Sequence, residues 1–300
     1  MVKGLVTKDD MKRLSQLKED LMSYKTILVN INSSKSCVIR VEVAINLAMQ
    51  HDAHLVALHT LAPFAPPSYA MVHMGPEITE IIKAQENAVA AEIARAKADF
   101  IKQTSTSGIR NGEWRTTIDD PVDAMSLHAR YADIVVIGQA DSSDGSEIAV
   151  DFPARLVLAA GRPVLIVPNA GSFDSTGKRI LIAWNGSREA TQAVTDAIPL
   201  LKLADNVNVM AVNPRHGEHG SVPGADLGTY LARHGVHVDV MTNPGDELDV
   251  GNELLSRAAD LSADLIVMGG YGHSRVREWI LGGATRTILE SMTIPVLMSH

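Results

Sequence analysis

Residues 267–289 read VMGGYGHSRVREWILGGATRTIL. Gly269 and Gly272 close an apolar run, and Gly282 and Gly283 open a helix-like run. Glycines in such places can take positive φ and remove side chains that would block a close approach. A helix N-terminus offers unpaired backbone N–H groups and the positive end of the dipole. Together these features could cradle a phosphate. Ser274 and Thr285 would add hydroxyl donors, and Arg275, Arg277 and Arg286 positive charge. No Gly-Lys-Ser/Thr follows, so the stretch is not a P-loop. It follows the fourth strand of its unit and not the first, so it is not the dinucleotide-binding fingerprint either.

Other reactive side chains carry weaker signals. His216 and His219, and His234 and His237, are pairs without a third ligand at defined spacing, although Glu218 and Asp226 are near in sequence. His51, His54 and His59 surround one apolar run and read as packing or surface histidines. Cys37 falls in the first turn of a helical pattern, where a small packed residue is the favoured role over a reactive thiol. Ser33, Ser34 and Ser187 read as helix caps. Trp184 suits either a base stack or a core filler, and Met71 and Met74 either a pocket cover or helix packing.

The elements that must position these groups come in two copies. KTILVNINSS is matched by RILIAWNGS, ADIVVIG by ADLIVMG, and GRPVLIVP by TIPVLMS. The interval from Gly138 to Asp151 equals that from Gly269 to Gly282. Each copy reads as five strands alternating with helices. Strands are expected near 26–31, 54–60, 113–117, 133–137 and 164–167, then near 180–184, 206–212, 236–241, 264–268 and 295–298. A long helix is expected from about Glu77 to Gln103. Strands apolar throughout, alternating with helices, imply parallel sheets covered on both faces. The division expected is a helical extension over 1–23, a first domain over 24–168, a linker over 169–178 and a second domain over 179–300. Within the extension, Thr7 to Met22 has a helical stripe of Met11, Leu14, Leu17 and Leu21.

Composition limits the function classes. Of the 300 residues, 46% are hydrophobic and only 4% aromatic, which suits aliphatic sheets under alanine-rich helices. A net charge of −8 gives no electrostatic support to a nucleic-acid or membrane partner. No apolar run approaches the ~20 residues of a membrane span, the N-terminal stretch lacks a signal-peptide core, and there is one cysteine. A cytoplasmic location in a reducing compartment is the expectation.

The repeat, AWNGSREA and GGYGHSRVREWILGGATRTIL together resemble a tandem universal stress protein. The resemblance covers nearly the whole chain from about residue 24. ATP-binding members share Gly-x2-Gly-x9-Gly-Ser/Thr, which falls here on Gly269, Gly272, Gly282 and Gly283. Gly283 stands where the family has Ser or Thr, and Asn32 and Asn185 stand where it commonly has Asp. The resemblance implies an α/β fold of two doubly wound, parallel five-stranded sheets of the adenine-nucleotide α-hydrolase-like kind. It also implies that residues 164–167 and 295–298 meet edge to edge, joining the sheets as a pseudo-dimer. Whether two chains associate further stays open, as does any protein partner. The implied ligand is ATP or a related adenine nucleotide, with Mg2+ accompanying it and no structural metal. Its site would comprise Asn185, Gly269, Gly272, His273, Ser274, Gly282, Gly283, Ala284 and Thr285, with no catalytic residue assigned.

In the first copy the positions of Gly272, Gly282 and Gly283 are held by Asp141, Asp151 and Phe152. Acids there repel phosphate, so no nucleotide is expected in that copy. Asp151 is expected to cap the helix, with Pro153 in its first turn. Two readings stand: a stress-response protein whose second domain binds a regulatory adenine nucleotide, and a nucleotide-independent interaction protein with a degenerate cleft. An ATP-consuming enzyme ranks below both, since no general base or dedicated Mg2+ acid is assigned.

Overall fold

A computed structural model describes residues 23–63, 77–109, 112–140, 151–212, 224–243, 250–271 and 283–300. The expected N-terminal helix, Met71, Met74, Asp141, His216, Glu218, His219, Arg275 and Arg277 lie outside the described residues. The strands are β1 (Thr26–Ile31), β2 (His54–Leu61), β3 (Gly112–Ile118), β4 (Ile134–Gly138) and β5 (Val164–Val167), then β6 (Arg179–Trp184), β7 (Asn206–Val212), β8 (Asp239–Asn243), β9 (Leu265–Gly269) and β10 (Val296–Ser299). The helices are α1 (Cys37–His51), α2 (Glu77–Thr106), α3 (Pro121–Ala129), α4 (Phe152–Ala159), α5 (Arg188–Leu201), α6 (Ala225–Arg233), α7 (Val250–Asp260) and α8 (Gly283–Ser291).

The two five-strand sets form one ten-stranded sheet in the order β3-β2-β1-β4-β5-β10-β9-β6-β7-β8. Pairing is parallel within each set. It is antiparallel at the join, with Val296 opposite Ile166, Leu297 opposite Leu165 and Met298 opposite Val164. The edge-to-edge meeting implied by the resemblance is therefore present within one chain.

Alternate side chains of each strand enter two cores, as the pleat requires. Ile27, Val29, Ile134, Val136, Ile180 and Ile182 face α1 and α5. Leu28, Val135, Ile137, Leu181, Ile266 and Met268 face α3, α4, α7 and α8. At about 25 cal/mol per Å2 of apolar surface, burying a side chain of this size contributes about 2 kcal/mol. Both cores run across the β5–β10 join.

β8 begins later than the expected 236–241. Gly235 has φ +81°, and the Gly235 and Val236 N–H groups donate to Ala232 and Leu231 carbonyls. The α6 C-cap holds Val236, so its apolar side chain serves the cap before the strand can start. The two copies also share a clamp. Asp133 accepts from the Lys25 and Thr26 N–H groups at 2.7 and 2.9 Å. Asp264, its counterpart, accepts from the Gly177, Lys178 and Arg179 N–H groups at 3.0, 3.2 and 2.9 Å and from Ser175 Oγ at 3.1 Å. Each carboxylate fixes the start of one central strand against its neighbour.

His51, in the last turn of α1, is 4% exposed, and neither ring nitrogen has a hydrogen-bond partner among the described residues. Burial, with the Lys25 charge second, pushes it down from 6.5 to about 4. The unfolded chain therefore takes up a proton below about pH 6.5 that the folded chain refuses until about pH 4. Stability present above that window is lost as pH falls through it, by about 3 kcal/mol from this group. Urea denaturation of the parent and of His51→Leu should show a gap that shifts in favour of the variant between about pH 6.5 and 4; parallel curves would remove this cause. Asp264→Ala should lower stability by about 2–3 kcal/mol, because it strands several amide donors at once.

Candidate functional site at the strand-order reversals

In doubly wound sheets, ligands bind beyond the carboxyl ends of the strands where the order reverses. This chain has two such places: between β1 and β4, and between β6 and β9. Each is built on an asparagine turn. Asn32 Oδ1 accepts from the Ser34 N–H at 3.3 Å and from Ser34 Oγ at 2.7 Å. Asn185 Oδ1 accepts from the Ser187 N–H at 3.1 Å, across Gly186 at φ +71°. Ser187 then caps α5 through the Ala190 N–H at 3.1 Å. Asn185 is exposed, and its carbonyl oxygen is engaged in shaping the turn. In the first copy Ser36 stands at the N-cap of α1 without a side-chain cap bond, so Ser33 and Ser34 do not have the capping role expected of them.

Gly269 closes β9 beneath the first turn of α5. A Cβ there would stand 2.5 Å from the Ala190 nitrogen and 2.9 Å from Glu189 Cβ. Its φ is not in the left-handed region, so the glycine is required by helix–strand proximity and not by backbone conformation. Beyond it, Gly270 N–H donates to the Ser299 carbonyl at 2.9 Å, and His300 Nδ1 lies 3.1 Å from the Gly270 carbonyl oxygen. Tyr271 takes the positive φ, at 63°. Burial pushes its phenol well above the usual tyrosine range, and its hydroxyl has no partner among the described residues.

Gly283 is the first residue of α8, as expected; it is exposed, and nothing among the described residues lies within 4 Å of where its Cβ would be. Ala284 is half-buried beside it. Thr285 is 5% exposed, which places it within the packing of α8 instead of on an open rim. Gly272, His273, Ser274 and Gly282 lie outside the described residues. The structure thus brings Asn185 and Gly269 together around α5, and sets Gly283, Ala284 and Thr285 in the first turn of α8. Trp184 is half-buried and packs on the core under α5, the filler role of its two readings.

Sequence reading missed Glu189. It sits in the first turn of α5, 8% exposed, and Arg188 Nη2 approaches its carboxylate at 3.4 Å. Its place beside an invading strand end was not visible from local pattern. It also missed the fate of Arg40, which is 3% exposed in the first copy. Asp151 proves not to cap α4 through its side chain: its backbone is helical (φ −88°, ψ 0°), which turns the carboxylate away from the first N–H groups. Pro153 does occupy the first turn, and Phe152 is buried at the first reversal.

A cleft of about 190 Å3 lies between α1 and α2 on the outer side of the Asn32 turn, lined by Ile31, Asn32, Ser34, Cys37, Glu92 and Phe100. His59 is fully buried near it, 3.7 Å from Glu92 and stacked on Trp114. Burial holds this imidazole below the ordinary histidine range, with Glu92 opposing the shift. His54 by contrast pairs with Glu113 at the surface. Among the described residues, no three His, Cys, Asp or Glu side chains group as a metal site, and no helix is long and apolar enough to cross a membrane.

A family model, the universal stress protein family, matches residues 23–168 and 245–300. The chain belongs to the universal stress protein family. A curated universal stress protein from Synechocystis is 28% identical over 150 residues, covering 48% of this chain and 48% of that protein. The chain thus matches about half the length of that relative. A universal stress protein from Archaeoglobus fulgidus has the same fold at 18% identity, with 91% of this chain and 97% of that chain covered and a TM-score of 0.64. A functionally unknown protein from Pseudomonas aeruginosa PAO1 matches at 15% identity, 93% of both chains and a TM-score of 0.58.

Gly269→Ala tests the packing that builds the second reversal. The added Cβ meets α5 backbone and not a flexible side-chain end. Thermal and urea unfolding should show a loss of at least about 2 kcal/mol. Gly283→Ala, whose Cβ would meet nothing among the described residues, should change stability little; equal losses at both positions would reject the assignment.

Proposed function

We propose that the chain is a stress-response protein whose second domain, over 179–300, takes ATP or a related adenine nucleotide as a regulatory ligand. The observation that carries this reading is the open start of α8. Gly283 is exposed, with no atom of the described residues near its Cβ position, which suits backbone N–H groups of the first turn to meeting an anion. Gly269 supports it by allowing α5 to press onto the end of β9, which narrows the reversal between β6 and β9. In this reading Gly269, Gly272, His273, Ser274, Gly282, Gly283, Ala284 and Thr285 surround the phosphates, chiefly through backbone donors. Asn185 shapes the turn at the other end. Mg2+ would accompany the nucleotide through its own phosphate oxygens.

The second reading, a nucleotide-independent interaction protein, draws its support from Glu189. A carboxylate 8% exposed at the reversal repels phosphate and suits hydroxyl or amine donors instead. The two readings are compatible only if the phosphates lie at the α8 end and the ribose or base at the α5 end.

Calorimetric titration of the full chain with ATP and Mg2+ separates them. The nucleotide reading expects one binding event per chain. Gly282→Asp should weaken it at least about tenfold by like charge. Gly283→Ser should tighten it about fivefold by adding one hydroxyl donor, worth about 1 kcal/mol. Absence of binding in the folded parent protein would select the second reading.

A further inference from the structure

The first reversal already holds an occupant, and it comes from the chain itself. Arg40 leaves the first turn of α1 at 3% exposure and lays its guanidinium over the end of β4. A Cβ on Gly138 would collide with Nη1, so that glycine makes room for the arginine. Nη2 donates to Asn32 Oδ1 at 2.5 Å. The arginine is thus fixed between the end of β1 and the end of β4, the place where a sheet of this order receives ligands.

What remains around it is a chamber of about 20 Å3, lined in part by Asn30, Arg40, Phe152 and Asn169. Such a volume holds about one water and no phosphate group. Three buried polar atoms on its lining residues lack a partner among the described residues: Arg40 Nε, Asn30 Oδ1 and Asn169 Oδ1. That set is one donor and two acceptors. A water used to accept one hydrogen bond and donate two matches that set in number and kind. No other small species fits as well: a cation would meet the guanidinium, and an anion would meet two carbonyl oxygens.

We propose that Arg40, with one buried water bridging Arg40 Nε, Asn30 Oδ1 and Asn169 Oδ1, is the resident occupant that closes the first reversal to external ligands. The contrast with the second copy is built into one position. The register that sets Asn32 opposite Asn185 sets Arg40 opposite Ala193, whose side chain is fully buried and has no reach. The second reversal therefore lacks a built-in cation at this place. The closing of the first follows whether or not the second takes a nucleotide.

Two measurements on the full chain test this. The first is a crystal structure, at a resolution that shows waters, from protein grown with excess ATP and with inorganic phosphate. The expected result is Arg40 in place, one water within hydrogen-bond reach of the three atoms, and no nucleotide or phosphate between β1 and β4. An empty chamber, Arg40 turned to solvent, or ligand density in its place overturns the proposal. Occupancy of the second reversal bears only on the nucleotide reading. The second measurement is chemical rescue. Arg40→Ala should melt at lower temperature, and millimolar ethylguanidinium should recover at least half of the loss while ethylammonium recovers none. A variant as stable as its parent, or equal recovery by both cations, also overturns it. Should Arg40→Ala not fold, the crystal structure of the unmodified protein decides the matter alone.

Discussion

The antiparallel pairing of β5 with β10 is the contact on which the rest depends. Each is the last strand of its set, and each is fully apolar, VLIV and VLMS, the latter but for its final serine. A strand apolar on both faces cannot remain at an edge without offering unpaired N–H and C=O groups and sticky surface. Pairing the two edges removes both liabilities at once and places Val164, Leu165, Ile166, Val296, Leu297 and Met298 at full burial. It also carries each core from one half into the other. Further contacts follow from the join. Gln139 reaches the Leu289 carbonyl at 2.9 Å, Ser299 Oγ donates to Asp196 at 2.8 Å, and Tyr24 OH donates to the Asp196 carbonyl at 2.7 Å. Burial holds the Asp196 carboxyl above the ordinary range, with the Ser299 and Gln192 bonds opposing the shift.

Given that join, the two copies are free to diverge where they do not support each other. Their shared devices are mechanical: the Asp133 and Asp264 clamps, and the asparagine turns at Asn32 and Asn185. Their differences gather at the strand-order reversals. One is occupied by an arginine over a glycine. The other is narrowed by a helix pressed onto a glycine, with a buried glutamate beside it. Gly138 and Gly269 occupy matching places for different reasons, one admitting a side chain and the other a backbone. A repeated framework thus supports two differently filled ends without altering strand order.

Much of the framework was legible. The apolar runs, matched between the two copies, place β1, β5 and β7 at their observed bounds, and most other strands within a residue or two of theirs. The site was legible less evenly. Gly283 was read correctly as the start of a helix, since a glycine pair before a helical pattern is a local signal. For Gly269 the expectation is positive φ together with room for a close approach; Tyr271 takes the positive φ, and the close approach at Gly269 is that of α5. Asp151 looked like a cap by residue type, but a cap depends on backbone angles that residue type does not dictate. β8 starts later than expected because Val236, apolar like a strand residue, is held by the α6 C-cap.

The sequence by itself determined the repeat, the alternation of strands and helices, the apolar character of both faces, and the glycine positions at the strand ends. These are properties of neighbouring residues and of spacing, and they survive in a one-dimensional record. Only the tertiary structure decided that Arg40 is buried over Gly138, that Glu189 is enclosed beside Gly269, and that β5 and β10 run antiparallel as one sheet. Those outcomes depend on which distant strands become neighbours. Burial of a charge is set by what the fold places around it, and no local pattern around Arg40 or Glu189 carries that information.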